Sequence, residues 1–90
     1  ILKFVRKYVN DPTCAQLDEA VEAKDWETAF RAAHTLKGVS QNLGFDKLYQ
    51  VSAALTEAMR GPKPLEDYSL WKAVDEVHKE ILEAVGKLED

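Results

Sequence analysis

Several features are scarce in this 90-residue chain, and each scarcity excludes a class of protein. The single cysteine, Cys14, excludes an internal disulfide and a cysteine-based metal site, and it fits a reducing cytoplasm, where we expect the chain to reside. No run approaches the roughly 18 apolar residues of a membrane span, and no signal peptide is recognisable, so we expect no membrane insertion. The four glycines are scattered and form no phosphate-binding loop. No His-Glu-x-x-His motif or Cys/His pair indicates a metal site.

An excess of positive charge is also missing, since the net charge is −4 with both signs interspersed. This balance argues against nucleic-acid binding and against attachment to anionic lipid. The length indicates one domain over residues 1–90, and 46% hydrophobic residues suffice for one core. A single filled core favours a monomer. Because the sequence begins at Ile1, we expect it to be processed or excised from a larger protein.

Apolar residues repeat at helical spacing, and no segment alternates with period two, so we predict an all-α fold without strands. Five helices are expected: residues 1–10, Asp11-Pro12 to about Ala23, Trp26 to near Asn42, Asp46 to Arg60, and Glu66 to Leu88. Asp25 and Gly44 are suitable residues for the two ends of the third helix. The short connections predict an antiparallel up-down four-helix bundle over residues 12–88, with residues 1–10 as an additional N-terminal capping helix.

The third helix has two different faces. Its predicted inward face consists of small and apolar residues: Ala29, Ala32, Ala33, Leu36, Ser40 and Leu43. His34 lies opposite, on an outward face that also includes Glu27, Phe30, Arg31, Lys37, Gly38 and Gln41. The helix therefore predicts a histidine that faces solvent.

A histidine on a solvent face is usually an ordinary surface residue, but the neighbours of His34 indicate more. Gly38 costs about 1 kcal/mol relative to alanine inside a helix, and open space above the His34 ring would explain it. Lys37, three residues after His34, can pair with an anionic group on the ring. Phe30 is either an aromatic residue at the core edge or a contact for a docking partner.

The run from Ala33 to Gly38, followed by Asn42-Leu43-Gly44, closely resembles the signature of histidine-containing phosphotransfer (HPt) domains of two-component phosphorelays. The resemblance extends to the Asp25-Trp26-Glu27 helix start and to the two helices that follow. It implies a four-helix bundle that displays His34 on an exposed helix face. It also implies that the domain is not an enzyme but a phosphoryl carrier.

The resemblance assigns a role to each residue of the predicted site. The site residues are His34 as phosphoacceptor, Lys37 for neutralising phosphate charge, Gly38 for steric access, and Gln41 for a hydrogen bond to the ring or phosphate. The predicted partner-binding residues are Phe30, Arg31 and Gly38. The implied partners are response-regulator receiver domains and a sensor histidine kinase. The domain is expected to need no cofactor of its own, because Mg²⁺ is expected on the receiver.

Two alternatives remain open. One is the N-terminal phosphoacceptor domain of a chemotaxis-type kinase, which resembles this chain except that Ala53 and Thr56 stand where such domains place a histidine and a glutamate that orient the reactive ring. Glu57 is adjacent to Thr56, but its position predicts that it points away from His34, so the residue that orients His34 is not identified. The other alternative is a helical interaction module without phosphoryl chemistry.

Overall fold

The computed structural model describes the backbone of residues 11–89 and the side chains of residues 11–86. Four helices and no strand make up the described part: α1 (Thr13–Glu22), α2 (Trp26–Leu43), α3 (Asp46–Ala58) and α4 (Ser69–Glu89). The all-helical prediction is confirmed for these residues, whereas the helix predicted over residues 1–10 lies outside them. Among the helices in residues 11–89, none has the length and hydrophobicity that a bilayer crossing requires.

Local signals in the sequence determine both ends of α2. The Asp25 carboxylate accepts hydrogen bonds from the backbone amide of Thr28 at 3.3 Å and from its hydroxyl at 2.7 Å. This contact satisfies an amide that has no partner within the helix. At the other end Gly44 has φ of 75°, a left-handed conformation that glycine adopts without steric cost. Both predicted caps are therefore confirmed, and the helix extends one residue past Asn42.

The connection between α3 and α4 is longer than the sequence predicts. The helix α3 ends at Ala58 instead of Arg60, and α4 begins at Ser69 instead of Glu66. The Asp67 carboxylate accepts hydrogen bonds from the Ser69 amide at 3.0 Å and from the Ser69 hydroxyl at 2.6 Å. Asp67 therefore caps the first turn of α4, and the predicted start of this helix was too early.

The helix α2 packs against both α1 and α3, and α3 packs in turn against α4. Five residues of its predicted inward face are buried: Ala29, Ala32, Ala33, Leu36 and Ser40. Leu43, the sixth, is partly buried against the same core. The other helices contribute larger apolar residues: Leu17, Val21, Leu48, Leu55, Met59, Val74 and Val77. The inward face of α2 is thus a shallow surface that larger side chains cover.

Buried hydroxyl groups between α2 and α3 have partners within their own helices. Ser40 donates to the Leu36 carbonyl at 2.6 Å, Ser52 to the Leu48 carbonyl at 2.6 Å, and Thr56 to the Ser52 carbonyl at 2.7 Å. In residues 11–86 no buried side-chain nitrogen or oxygen lacks a partner. These small polar residues are therefore compatible with the core and need no functional explanation.

A hydrogen bond between α1 and α4 joins the first helix to the last. The Trp71 indole Nε1 donates to the Asp18 carboxylate at 2.8 Å. Next to it, the Tyr68 ring makes edge contacts with Trp71 and Trp26, with centroid distances of 6.2 and 6.5 Å. Aromatic residues thus connect the beginnings of α2 and α4 at one end of the bundle.

Titratable groups in this region are affected by burial. Burial raises the pKa of the Cys14 thiol to about 12, and the nearby carboxylates of Asp18 and Asp75 act in the same direction. The thiol therefore stays protonated and unreactive at neutral pH. Burial also raises the pKa of Asp18, although the hydrogen bond from Trp71 opposes this shift.

The raised pKa of Asp18 predicts how its substitution changes stability with pH. The folded protein binds the Asp18 proton more tightly than the unfolded chain does, so this group stabilises the fold less as pH rises through its pKa. Asp18→Asn removes the charge but keeps an oxygen that accepts from Trp71. We expect the variant to melt at or above the wild-type temperature at pH 7, and the difference to shrink as pH falls toward 4.

Asp18→Ala is the matched control, because it also removes the acceptor of the Trp71 indole. We expect it to lose about 1 kcal/mol of stability relative to Asp18→Asn at the same pH. Thermal melts of the three proteins at several pH values measure both effects. Equal stability of the two variants would show that the indole hydrogen bond contributes nothing.

Candidate functional site

The side chain of His34 is exposed in the middle of α2. Three of its neighbours along the helix, Ala32, Ala33 and Leu36, are buried on the opposite side. The predicted division of this helix into an inward and an outward face is therefore confirmed. Since a helix can bury only one broad stripe, the packing of α2 determines that His34 faces outward.

The ring of Phe30 lies one helical turn before His34 and is nearly parallel to it. The two ring centroids are 6.5 Å apart, and the ring planes differ by 17°. Phe30 is partly buried and packs against the hydrophobic core. Phe30 is thus an aromatic residue at the edge of the core, as one of the two interpretations predicted, and its ring also stacks on that of His34.

Two charged residues near the end of α3 reach the same face. The guanidinium carbon of Arg60 lies 5.8 Å from the centroid of the Phe30 ring, which is within the range of a cation–π contact. Arg60 also forms a two-point ion pair with Glu57, with Nε–Oε2 of 3.0 Å and Nη2–Oε1 of 2.6 Å. Hydrogen bonds from Arg60 lower the pKa of Glu57, and the charges of Arg60 and Lys37 act in the same direction.

The remaining predicted residues are at least partly exposed, as their outward positions predict. Lys37 is partly exposed and Gln41 is exposed. Arg31 is exposed, and its guanidinium binds the Glu27 carboxylate at 2.6 Å. A β-carbon placed on Gly38 would meet no atom of another part of the chain within 4 Å. The surface over the next turn of α2 is therefore open.

The sequence analysis missed the contribution of α3 to this face. The sequence predicts that Glu57 points away from His34, and this stays a prediction; the structure shows that its carboxylate binds Arg60, which lies over Phe30, and that the charge of Lys37 helps to lower its pKa. The spacing of Glu57 and Arg60 does indicate an ion pair within one helix. No sequence signal places that pair next to Phe30, because their contact depends on how α2 and α3 pack.

The two residues at the positions of the chemotaxis-type orienting pair do not reach the histidine. Ala53 has no polar side-chain atom, and Thr56 is buried with its hydroxyl bonded to the Ser52 carbonyl. The second histidine, His78, is half-buried on α4, where burial lowers its pKa against the opposing charges of Asp18 and Asp75. In the described residues no three His, Cys, Asp or Glu side chains are grouped to hold a metal ion.

A comparison with known protein families identifies a related family. The model of the family described as "Hpt domain" matches residues 10–88, which is most of the chain. The chain belongs to the Hpt domain family. No curated protein and no solved structure matches the chain significantly.

Membership of the Hpt domain family connects the bundle to a known type of signalling. Hpt domains take part in histidine phosphotransfer in two-component systems, as phosphoryl carriers and not as catalysts. In the described part of this Hpt domain, His34 at the centre of α2 is exposed, whereas His78 is half-buried. The all-helical architecture of the sequence analysis thus agrees with the family.

The open surface at Gly38 predicts opposite effects of one substitution on stability and on transfer. Gly38→Gln replaces a poor helix former by a good one. We therefore expect the free energy of unfolding to rise by about a few tenths of a kcal/mol or more, and the melting temperature to be at or above the wild-type value. The new side chain also covers the surface beyond His34. We therefore expect Gly38→Gln to accept phosphoryl groups from a receiver domain more slowly than wild type does, with a smaller decrease for a small donor such as phosphoramidate.

Thermal melting and the two labelling rates, measured on the same preparation, check this prediction. Strong destabilisation would contradict the open space found at Gly38. Normal stability with normal transfer would show that the glycine does not control access.

Proposed function

We propose that His34 accepts a phosphoryl group from the phospho-aspartate of one receiver domain and passes it to the aspartate of another. The observation that supports this most is the exposed position of His34 on α2, with Lys37 and the open surface of Gly38 beside it. Membership of the Hpt family supports the same chemistry. The response-regulator receivers and the sensor kinase of one phosphorelay are the proposed partners.

The proposed transfer exchanges one bond to phosphorus for another. The lone pair of His34 Nε2 attacks the phosphorus atom of the aspartyl phosphate and forms the N–P bond. The P–O bond to the aspartate breaks, and its electron pair leaves on the carboxylate oxygen. The proton on Nδ1 stays on the ring, and transfer to the second receiver reverses these steps. Such transfer requires alignment of the reacting atoms and neutralisation of charge.

The receiver supplies most of the catalysis in this proposal. The Hpt domain needs no cofactor of its own, because Mg²⁺ and a lysine come with the receiver. Lys37 offsets the charge of the phosphoryl group, and Gln41 hydrogen-bonds the ring or the phosphate. Phe30, Arg31 and Gly38 form part of the surface that the receiver contacts, together with residues of α1.

We also infer that the four helices follow an antiparallel up-down order and act as a monomer. Phe30, in the first half of α2, meets Arg60, which follows the end of α3. Lys47, near the start of α3, binds Glu80 in the second half of α4 at 3.2 Å. Both contacts join an early part of one helix to a late part of another, as an antiparallel arrangement requires.

The two other functions have less support. A chemotaxis-type phosphoacceptor domain orients its histidine with polar groups from the next helix, but here Thr56 is buried and bonded to its own helix. An interaction module without phosphoryl chemistry does not account for an open glycine and a lysine next to an exposed histidine. Incubation with a phosphorylated receiver discriminates these functions: an acid-labile, base-stable phosphoryl group on the domain supports the relay, and no transfer from an active receiver refutes it.

His34→Gln tests whether this histidine is the phosphorylation site. We expect complete loss of labelling with helix content and melting temperature nearly unchanged, because a side chain on the solvent face contributes little to stability. Circular dichroism and labelling by a phosphorylated receiver measure the two properties. Loss of labelling together with unfolding would make His34 structural, and labelling that persists would point to His78.

Lys37→Ala tests the neutralisation of phosphate charge. We expect slower transfer or a shorter lifetime of the phosphorylated form, with a change in stability below about 0.5 kcal/mol, since Lys37 is on the solvent face. The transfer rate and the decay of phosphohistidine are the measurements. Wild-type values for both would remove Lys37 from the site.

A further inference from the structure

The contacts on the outer face of α2 form a continuous chain from His34 to the end of α3. We propose that Phe30, Arg60 and Glu57 are positioning residues that hold the imidazole of His34 in one orientation for phosphoryl transfer. This inference rests on the proposed function, and it identifies the orienting group that the sequence analysis left open. We call these three residues the ring support.

The first part of the ring support is the stacking of Phe30 on His34. An exposed histidine on a helix normally exchanges between side-chain orientations, and each alternative moves Nε2 to a different place. The near-parallel arrangement, with an interplanar angle of 17° and a centroid distance of 6.5 Å, favours one plane for the imidazole. Phe30 can impose this plane because its own ring is packed against the core.

The second part is the arginine that lies over Phe30. The Arg60 guanidinium is 5.8 Å from the centre of the Phe30 ring, so it restricts that ring from the side of α3. The guanidinium is held in turn by its two hydrogen bonds to Glu57, at 2.6 and 3.0 Å. An arginine can make such a two-point contact, whereas a lysine cannot.

Two simpler roles compete with this one, and each makes a different prediction. If Phe30 only docks the receiver, its loss would slow transfer from a receiver but not from phosphoramidate, which has no docking surface. If Arg60 only attracts phosphate, Arg60→Lys would be labelled at the wild-type rate. Arg60→Gln would then slow labelling equally whether or not Phe30 is present. Under our proposal the ring support acts on the nucleophile itself, so a small donor must also detect its loss.

The experiment measures labelling of His34 by phosphoramidate in wild type, Phe30→Leu, Arg60→Gln, Arg60→Lys and Glu57→Gln. We expect Phe30→Leu and Arg60→Gln to be slower by roughly three- to tenfold, the size expected for losing one ring contact. Arg60→Lys and Glu57→Gln should lie between Arg60→Gln and wild type. The double variant Phe30→Leu/Arg60→Gln should be no slower than Phe30→Leu alone, because Arg60 acts through Phe30.

Lys47→Gln is the matched control. Like Arg60, Lys47 is an exposed cation in an ion pair, with Glu80 at 3.2 Å, but it lies near the start of α3, whereas Arg60 follows the end of that helix. Lys47→Gln removes one positive charge, as Arg60→Gln does, and we expect it to be labelled by phosphoramidate at the wild-type rate. A decrease in this control equal to that of Arg60→Gln would overturn the proposal, because net charge alone would then explain the effect.

Nuclear magnetic resonance gives a second test that does not require every variant to fold. In wild type we expect contacts between the ring protons of Phe30 and His34, and phosphorylation at Nε2 alone. In folded ring-support variants the contacts should weaken, and some phosphorylation should shift to Nδ1. Absence of the ring contacts in wild type would overturn the proposal, as would normal phosphoramidate labelling of Phe30→Leu. A double variant as slow as the product of the two single effects would remove Arg60 from the ring support.

The outcome for the proposed function is separate. If wild type accepts no phosphoryl group from an active phosphorylated receiver, the relay function fails. The ring support still stands in that case when the phosphoramidate rates and ring contacts follow the expected order. If receivers label the wild type and the ring-support variants react with phosphoramidate at the wild-type rate, the relay function stands and the ring support fails.

Discussion

Burial of one face of α2 is the constraint on which the rest of the structure depends. That face consists mostly of small residues, such as Ala29 and Ala33, together with Leu36, and it packs against both neighbouring helices. Larger side chains of α1 and α3 fill the space that the alanines leave. Because the helix is committed to this contact, the residues opposite are held at the surface. The accessibility of His34 is therefore a consequence of the core.

Two ion pairs lie on and beside the outer face of α2. Arg31 binds Glu27 and Arg60 binds Glu57, in both cases at 2.6 Å. Exposed ion pairs of this kind contribute little to stability. They do limit where the cations can be, so the surface that a partner meets is partly organised. Hpt domains act as carriers, and an exposed, organised face suits a protein whose chemistry depends on a partner.

A separate set of contacts attaches α4 to α1. The Asp18 carboxylate accepts from Trp71 although burial raises its pKa. A charged acceptor makes a stronger hydrogen bond than a neutral one, but removing it from water is costly. The same region includes the edge contacts of Tyr68 with its aromatic neighbours. Attachment of α4 thus uses specific contacts as well as its apolar stripe.

The sequence by itself determined the features that depend on local periodicity and turn chemistry. These are the helical class, the caps of α2 at Asp25 and Gly44, and the outward position of His34 beside an open glycine. It placed the start of α4 too early, because the Asp67 cap competes with a helical pattern that looks continuous. The tertiary structure alone decided the Asp18–Trp71 bond and the contact of Arg60 with Phe30. Both join residues far apart in the chain, and their meeting depends on the rotation and register of packed helices, which periodicity does not encode.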